Sequence, residues 1–248
     1  MKNLLFTIKY KGTNYHGWQV QKNALAVQEV FENAVEKILG RRVDIKGCSR
    51  TDTGVHANMY CISMKPDTKI PPDKLIMAFN NNLPKDIVVC SCEPVSIDFH
   101  ARYSVKSKRY IYKILGTKIR DPFYENLALH YPYKIDVNVL NEAAGYFIGT
   151  HDFRGFCSVK SDIEDTVRTV FDCSVKKTDE LITISITANG FLYNMVRIIA
   201  GTLLFVAQGK ILPKDIPEII NSKDRRRAGV TAPAHGLYLD YVSYNDEI

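Results

Sequence analysis

The run Arg50-Thr51-Asp52-Thr53-Gly54-Val55-His56-Ala57 sets a carboxylate between a cation and a glycine turn, at a point where two extended segments meet. Val43 and Ile45 read as a short strand before it, Ala57 to Met64 reads as another after it, and Gly54 supplies a position that can turn sharply. Side chains of an extended chain repeat every two residues, so Arg50 and Asp52 are expected on the same side. An opposite charge within a few Å lowers a carboxylate below its reference pKa of about 3.9, which predicts an anionic Asp52 at neutral pH. Such a group can serve as a nucleophile or a general base. The same residues also fit a surface turn with a structural ion pair.

The elements around this acid suggest two similar halves. Leu4, Phe6, Ile8 and Tyr10 alternate as a strand, and Val27, Val30, Phe31, Ala34, Val35, Ile38 and Leu39 mark a helix face closed by Gly40. The two strands around Asp52 follow; Pro72 then opens a helix with Leu75, Ile76 and Phe79 on one face, and Ile87 to Val95 is a strand. The order βαββαβ starts again near Arg109, with strand Tyr110 to Leu115, helix Val137 to Ile148, strands Val167 to Lys176 and Leu181 to Ala188, an apolar helix over Phe191 to Ala207, and a last strand Leu237 to Tyr244. The fold class is therefore α+β: two split-βαβ halves, residues 1–105 and 106–248, whose mixed or antiparallel sheets join, with helices on one face and a cleft between halves. No glycine-serine linker separates them, so no independently swinging domain is expected. Gly149 to Asp165 and Asn221 to His235 read as long connections able to reach over a ligand.

Phe191 to Ala207 is apolar, but it carries Asn194 and Arg197 and falls short of the roughly 20 residues of a membrane span, which makes it a buried helix. A cation there should meet an anion or lie at an end. Asp52 is one candidate partner, Asp240 another, and a snorkelling position at the rim a third.

Six ordered blocks resemble one family along nearly the whole chain. Residues 50–57 are similar to the catalytic motif of the TruA family of tRNA pseudouridine synthases. Tyr10-Lys11-Gly12-Thr13-Asn14-Tyr15-His16-Gly17-Trp18-Gln19-Val20-Gln21 resembles its opening block, and Phe99-His100-Ala101-Arg102-Tyr103 with Tyr110-Ile111-Tyr112 its central one. Gly149-Thr150-His151-Asp152-Phe153, Phe191 to Arg197, and Ala232-Pro233 with Gly236-Leu237 follow in family order. Cys48-Ser49 stands where the family has a small Ala-Gly pair and Thr53 where Ala is common; both departures are expected at the pocket mouth.

The resemblance implies an RNA isomerase. Asp52 would be the catalytic group, Arg50 and Arg197 would orient it, Tyr110 would lie on an extruded uracil and Leu237 on the base's other side. The bond from ribose to N1 breaks, the uracil turns while held, and a carbon bond forms at C5, with Asp52 either attacking C1′ or removing the 2′ proton. No metal or organic cofactor is implied. The implied substrate is the anticodon arm of tRNA around positions 38–40, with ribosomal RNA as an alternative target and an inactive RNA-binding module as an alternative from another class. A homodimer is implied as well.

Composition accords with this reading. The 248 residues, 46% of them hydrophobic, suffice for sizeable cores and exclude a disordered tail protein. A net charge of +6 permits a polyanionic partner. Arg41 and Arg42, Lys106, Lys108 and Arg109, and Arg225, Arg226 and Arg227 are candidates for phosphate contacts, and each cluster also fits a solvated face. Six scattered cysteines without a Cys-x-x-Cys pair point to neither zinc nor disulfides and favour a reducing cytoplasm. Met1-Lys2-Asn3-Leu4 runs into a strand without the apolar core of an export signal. A zinc deaminase is excluded by the missing His-x-Glu and Pro-Cys-x-x-Cys motifs.

Overall fold

A computed structural model of the chain describes residues 2–158 and 164–245. In chain order the elements begin with β1 (Asn3–Tyr10), α1 (Val27–Leu39), β2 (Ile45–Gly47), β3 (His56–Met64), α2 (Pro72–Asn82), β4 (Ile87–Val95) and β5 (Ser107–Leu115). They continue with β6 (Leu129–His130), α3 (Val137–Gly145), β7 (Gly149–Asp152), β8 (Val167–Thr178), β9 (Leu181–Ala188), α4 (Met195–Ala207), α5 (Ile216–Ser222) and β10 (Leu237–Ser243). The architecture is α+β and divides into two compact units, Met1–Lys106 with Tyr238–Ile248, and Ser107–Leu237.

The first unit is a mixed sheet in the order β4-β1-β3-β10, with the short β2 also on β3. β1 runs antiparallel to both neighbours, Leu4 facing Met64 on one side and Pro94 on the other. α1 buries Val27, Phe31, Ala34 and Val35, the 3.6-residue stripe expected of an amphipathic helix, and ends on Gly40 in the left-handed region. Pro72 starts α2, where its missing N–H costs no helical hydrogen bond. Phe31 and Phe79 stack at 4.8 Å between ring centres, and the β1 residue Phe6 meets Phe79 edge-on at 5.2 Å. All three rings are fully buried, so truncating any one to alanine costs about 3–5 kcal/mol.

The second unit is an antiparallel sheet, β5-β9-β8-β7, with β6 parallel to β5. Asp136 caps α3 by accepting the N–H groups of Asn138 and Val139. α4 buries ten of its thirteen residues. It starts at Met195 rather than Phe191, because Asn194 has a left-handed φ of 63° that no α-helical turn accommodates. Among the described residues no helix is long and apolar enough to cross a membrane.

Several elements differ from the expected order. β10 belongs to the first unit, where Tyr238 and Leu239 pair in parallel with His56 and Ala57 on β3. The polar Gly149–Asp152 stretch, expected as the start of a loop, is strand β7 on the edge of β8. Residues 159–163 of that expected connection lie outside the described residues. The second connection, Asn221 to His235, contains the end of α5 and tight turns at Arg225–Arg227 and Ala234–Gly236. α5 has only seven residues, too few for a periodic signal.

Candidate active site

Asp52 is half-buried in a turn that the opening segment of the chain clamps from several sides. The backbone closes locally through the Val55 N–H on the Asp52 carbonyl at 3.1 Å, with Gly54 at φ 79°. From outside the turn, the Trp18 N–H donates to the Thr51 carbonyl and the Gly54 N–H to the Tyr15 carbonyl, both at 3.2 Å. The hydroxyls of Tyr10 and Thr51 meet at 2.8 Å in a buried setting. The Gly12 N–H donates to His56 Nδ1 at 2.9 Å, so His56 is neutral with its proton on Nε2. That imidazole is 1% exposed and stacks on Tyr238 at 4.6 Å, making it a brace rather than a reactive group. Gly17 completes the clamp: its φ is 82°, and a Cβ there would sit 2.2 Å from the Thr51 carbonyl oxygen.

Beneath the turn, Trp18 stacks on Tyr60 at 4.1 Å, and the Tyr60 hydroxyl donates to the Ser49 carbonyl. Tyr10, Gly17, Trp18, His56 and Tyr60 thus hold the acid's backbone. The opening block was visible as a motif in the sequence; its task, packing against residues 49–56, was not.

Two expectations around Asp52 need correction. Residues 50–52 are irregular and 53–54 turn, so strand alternation does not govern them. Arg50 is exposed, lines a surface pocket with Trp18, Ser49, His100 and Tyr103, and forms no ion pair with Asp52 among the described residues. Cys48 is not at a pocket mouth: it is fully buried, and its Sγ accepts the Cys61 N–H at 3.3 Å across the β2–β3 edge. Thr53, by contrast, is exposed.

The second unit holds Arg197, Tyr110 and Leu237. Arg197 Nε donates to the Ala232 carbonyl and Nη1 to Asn194 Oδ1, each at 2.7 Å, while the Ala232 N–H returns to the Arg197 carbonyl at 3.1 Å. The Tyr112 hydroxyl donates to the Pro233 carbonyl at 2.8 Å. Residues 232–233 are therefore tied to α4 and β5, and the Ala234–Gly236 turn leads directly to Leu237, which is buried. Burial pushes the Tyr112 phenol up against the opposing influence of Arg197. Burial also holds the His235 imidazole below its usual value; Glu125 pulls it up and Arg197 presses it down. Tyr110 is 6% exposed, with its ring edge-on to Phe191 at 5.0 Å. Asp240, a candidate partner for Arg197, accepts from Asn58 Nδ2 at 2.8 Å.

Arg41 pairs with Asp67 at 3.5 Å, Arg42 with Glu36 at 3.1 Å, Arg226 with Asp224 at 2.8 Å and Arg227 with Glu218 at 2.9 Å. Arg225 is turned onto the Gly229 carbonyl and the Thr231 hydroxyl. These five have partners close by, and the paired guanidinium groups keep much of their surface exposed. Lys106 and Arg109 are exposed and Lys108 is half-buried at the start of β5.

Comparison with known proteins places these features in one family. A model of the tRNA pseudouridine synthase family matches residues 7–104 and 143–245. A tRNA pseudouridine synthase A of Thermoanaerobacter sp. (strain X514) is 50% identical over 244 residues, 98% of this chain and 100% of that protein. The same-named protein of Ruminiclostridium cellulolyticum is 48% identical over 245 residues, and that of Clostridium acetobutylicum 44% over 244, each covering 98% of this chain and all of the relative. A chain of a solved Cbf5-Nop10-Gar1 complex has a TM-score of 0.36 at 10% identity, covering 81% of this chain and 53% of that one, too low to bear on the fold. With the family model matching most of its length, and the blocks that brace Asp52 and Arg197 inside the matched regions, the chain belongs to the tRNA pseudouridine synthase family.

Proposed function

We propose that this chain isomerises uridine to pseudouridine in tRNA, on the anticodon arm around positions 38–40, with Asp52 as the catalytic group. The observation that carries this reading is the clamped turn of residues 51–55 in a chain of this family: a carboxylate held on fixed backbone loses little freedom when substrate arrives. The target uridine leaves its stack, because its reactive atoms are shielded within it. Asp52 then attacks C1′ or removes the 2′ proton, and the N1–C1′ bond breaks. The detached uracil rotates and C5 bonds to C1′ as the Asp52–C1′ ester breaks or, on the other route, as C2′ regains its proton; C5 then loses its proton while N1 gains one, so that substrate and product have the same mass.

Tyr110 supplies an aromatic surface for the everted base and Leu237 an apolar one. Arg197 directs the Asp52 carboxylate, and Arg50 faces the nucleic acid. Lys106, Lys108 and Arg109 follow the phosphate backbone. The enzyme works as a cytoplasmic homodimer, as the family resemblance implies.

Release of tritium from C5-labelled transcripts tests this directly. Wild-type protein should release it from tRNA, and Asp52→Ala should not. Turnover by Asp52→Ala would remove the catalytic assignment, and preferential release from ribosomal fragments would overturn the tRNA target.

A further inference from the structure

The turn at residues 100–103, in the first unit, offers a feature that the isomerisation chemistry does not use. Tyr103 is 77% exposed although two side chains flank its ring: His100 at 4.4 Å between ring centres and the Arg102 guanidinium at 5.8 Å from the ring centre. The turn is rigid. His100 Nδ1 accepts the N–H groups of Arg102 and Tyr103 at 3.1 and 3.4 Å, and the His100 N–H donates to Ser104 Oγ at 3.1 Å. The Ala101 N–H donates to Ser63 Oγ, and the Ala101 carbonyl accepts from the Tyr244 hydroxyl. An exposed ring on such a framework has already lost the freedom that binding would otherwise remove.

Its surroundings are cationic. Tyr103, Arg102 and His100 line a pocket of about 290 Å³ together with Arg50, Lys46 and Trp18. Lys46 is matched by Asp44 at 2.6 Å. Arg50 and Arg102 have no carboxylate partner among the described residues, unlike Arg41, Arg42, Arg226 and Arg227. Because His100 Nδ1 accepts, its proton lies on Nε2, a further donor. A rigid exposed aromatic face next to two uncompensated guanidinium groups matches what an unpaired nucleotide presents, a flat base and an anionic phosphate.

We infer that Tyr103 is a stacking platform for an unpaired base of the RNA substrate, with Arg102 and Arg50 contacting the adjacent phosphates. This rests on the reading of the chain as a tRNA-modifying enzyme and names a surface that holds the substrate away from the everted uridine. Stacking depends on the ring face, and the phosphate contacts depend on charge, so the two parts separate experimentally.

The test measures dissociation constants for an unmodified tRNA transcript across a salt series, with C5 tritium release by the wild type as the check on the function itself. Tyr103→Ala should weaken binding about tenfold at every salt concentration, whereas Tyr103→Phe should bind as the wild type does. Arg102→Gln should lower the slope of log affinity against log salt by about 0.7, the value for one single-strand phosphate contact. Lys177→Gln removes a charge from an exposed position on β8 and should leave the dissociation constant within about twofold. Wild-type binding by Tyr103→Ala, or equal weakening by Tyr103→Phe, would overturn the platform. An unchanged slope for Arg102→Gln would overturn the phosphate contact. Absence of tritium release by the wild type would instead refute the parent reading. Melting curves of each variant guard against misfolding, which the exposure of Tyr103 and Arg102 makes a minor concern.

Discussion

The hydroxyl of Tyr10, on β1, lies 2.8 Å from that of Thr51, the residue before Asp52, and both side chains are buried. The central strand of the first unit is thereby coupled to the backbone of the candidate acid. Thr51→Val keeps the shape but leaves the tyrosine with one partner fewer in a buried site, a cost of about 1–3 kcal/mol. Thermal or urea unfolding should show that loss. Tritium release should also fall, because the turn carrying Asp52 loses a lateral hold; full activity at reduced stability would show that the turn is positioned without this contact.

Gly17 should tolerate no side chain. Its left-handed φ alone costs an alanine about 1–2 kcal/mol, and the added Cβ would fall 2.2 Å from the Thr51 carbonyl oxygen. The carbonyl belongs to backbone, so relief requires the Asp52 turn to move. Gly17→Ala should reduce the rate constant for turnover more than its effect on overall stability explains; a variant with the wild-type rate would separate the opening segment from catalysis.

Arg197→Lys should fail to restore function although charge is kept. Lysine has one terminal ammonium in place of the planar fork whose Nε and Nη1 reach Ala232 and Asn194 at once. The Ala232–Leu237 segment should loosen, which faster amide exchange of residues 232–237 would reveal. Tritium release should fall by at least tenfold with RNA binding retained. Undiminished turnover would place Arg197 outside the chemistry.

Asp152 makes stability depend on acid. Burial would raise its carboxyl, but hydrogen bonds from Lys223, the Thr166 hydroxyl and the Arg154 N–H outweigh that and bring it down to about 2. A carboxylate with a folded pKa below its unfolded value of about 3.9 stabilises the fold above that unfolded value and loses the contribution as pH falls through the folded one. The melting temperature of Asp152→Asn should lie below that of the wild type by a constant amount above about pH 4, and the gap should close toward pH 2. A gap independent of pH would show that the aspartate acts by packing alone.

Much of this fold is written locally. Hydrophobic spacing of 3.6 residues and Gly40 bound α1, Pro72 starts α2, and alternation marks β1, β4 and β9, since helix faces and strand pleats depend on near neighbours. Membership of the family was legible too, because its motifs are runs of adjacent residues. The partners of distant groups were not. Arg50 was expected to face Asp52 from their spacing, yet the irregular backbone leaves Arg50 at the surface. Four arginines that read as phosphate contacts found carboxylates 2 to 26 residues away, and Cys48 went into the core opposite Cys61. β10 joined the first unit by pairing with β3, a choice made between residues 182 positions apart, such as Tyr238 and His56. Side-chain type and local period are properties of a short segment, whereas pairing and burial depend on which surfaces the folded chain brings together.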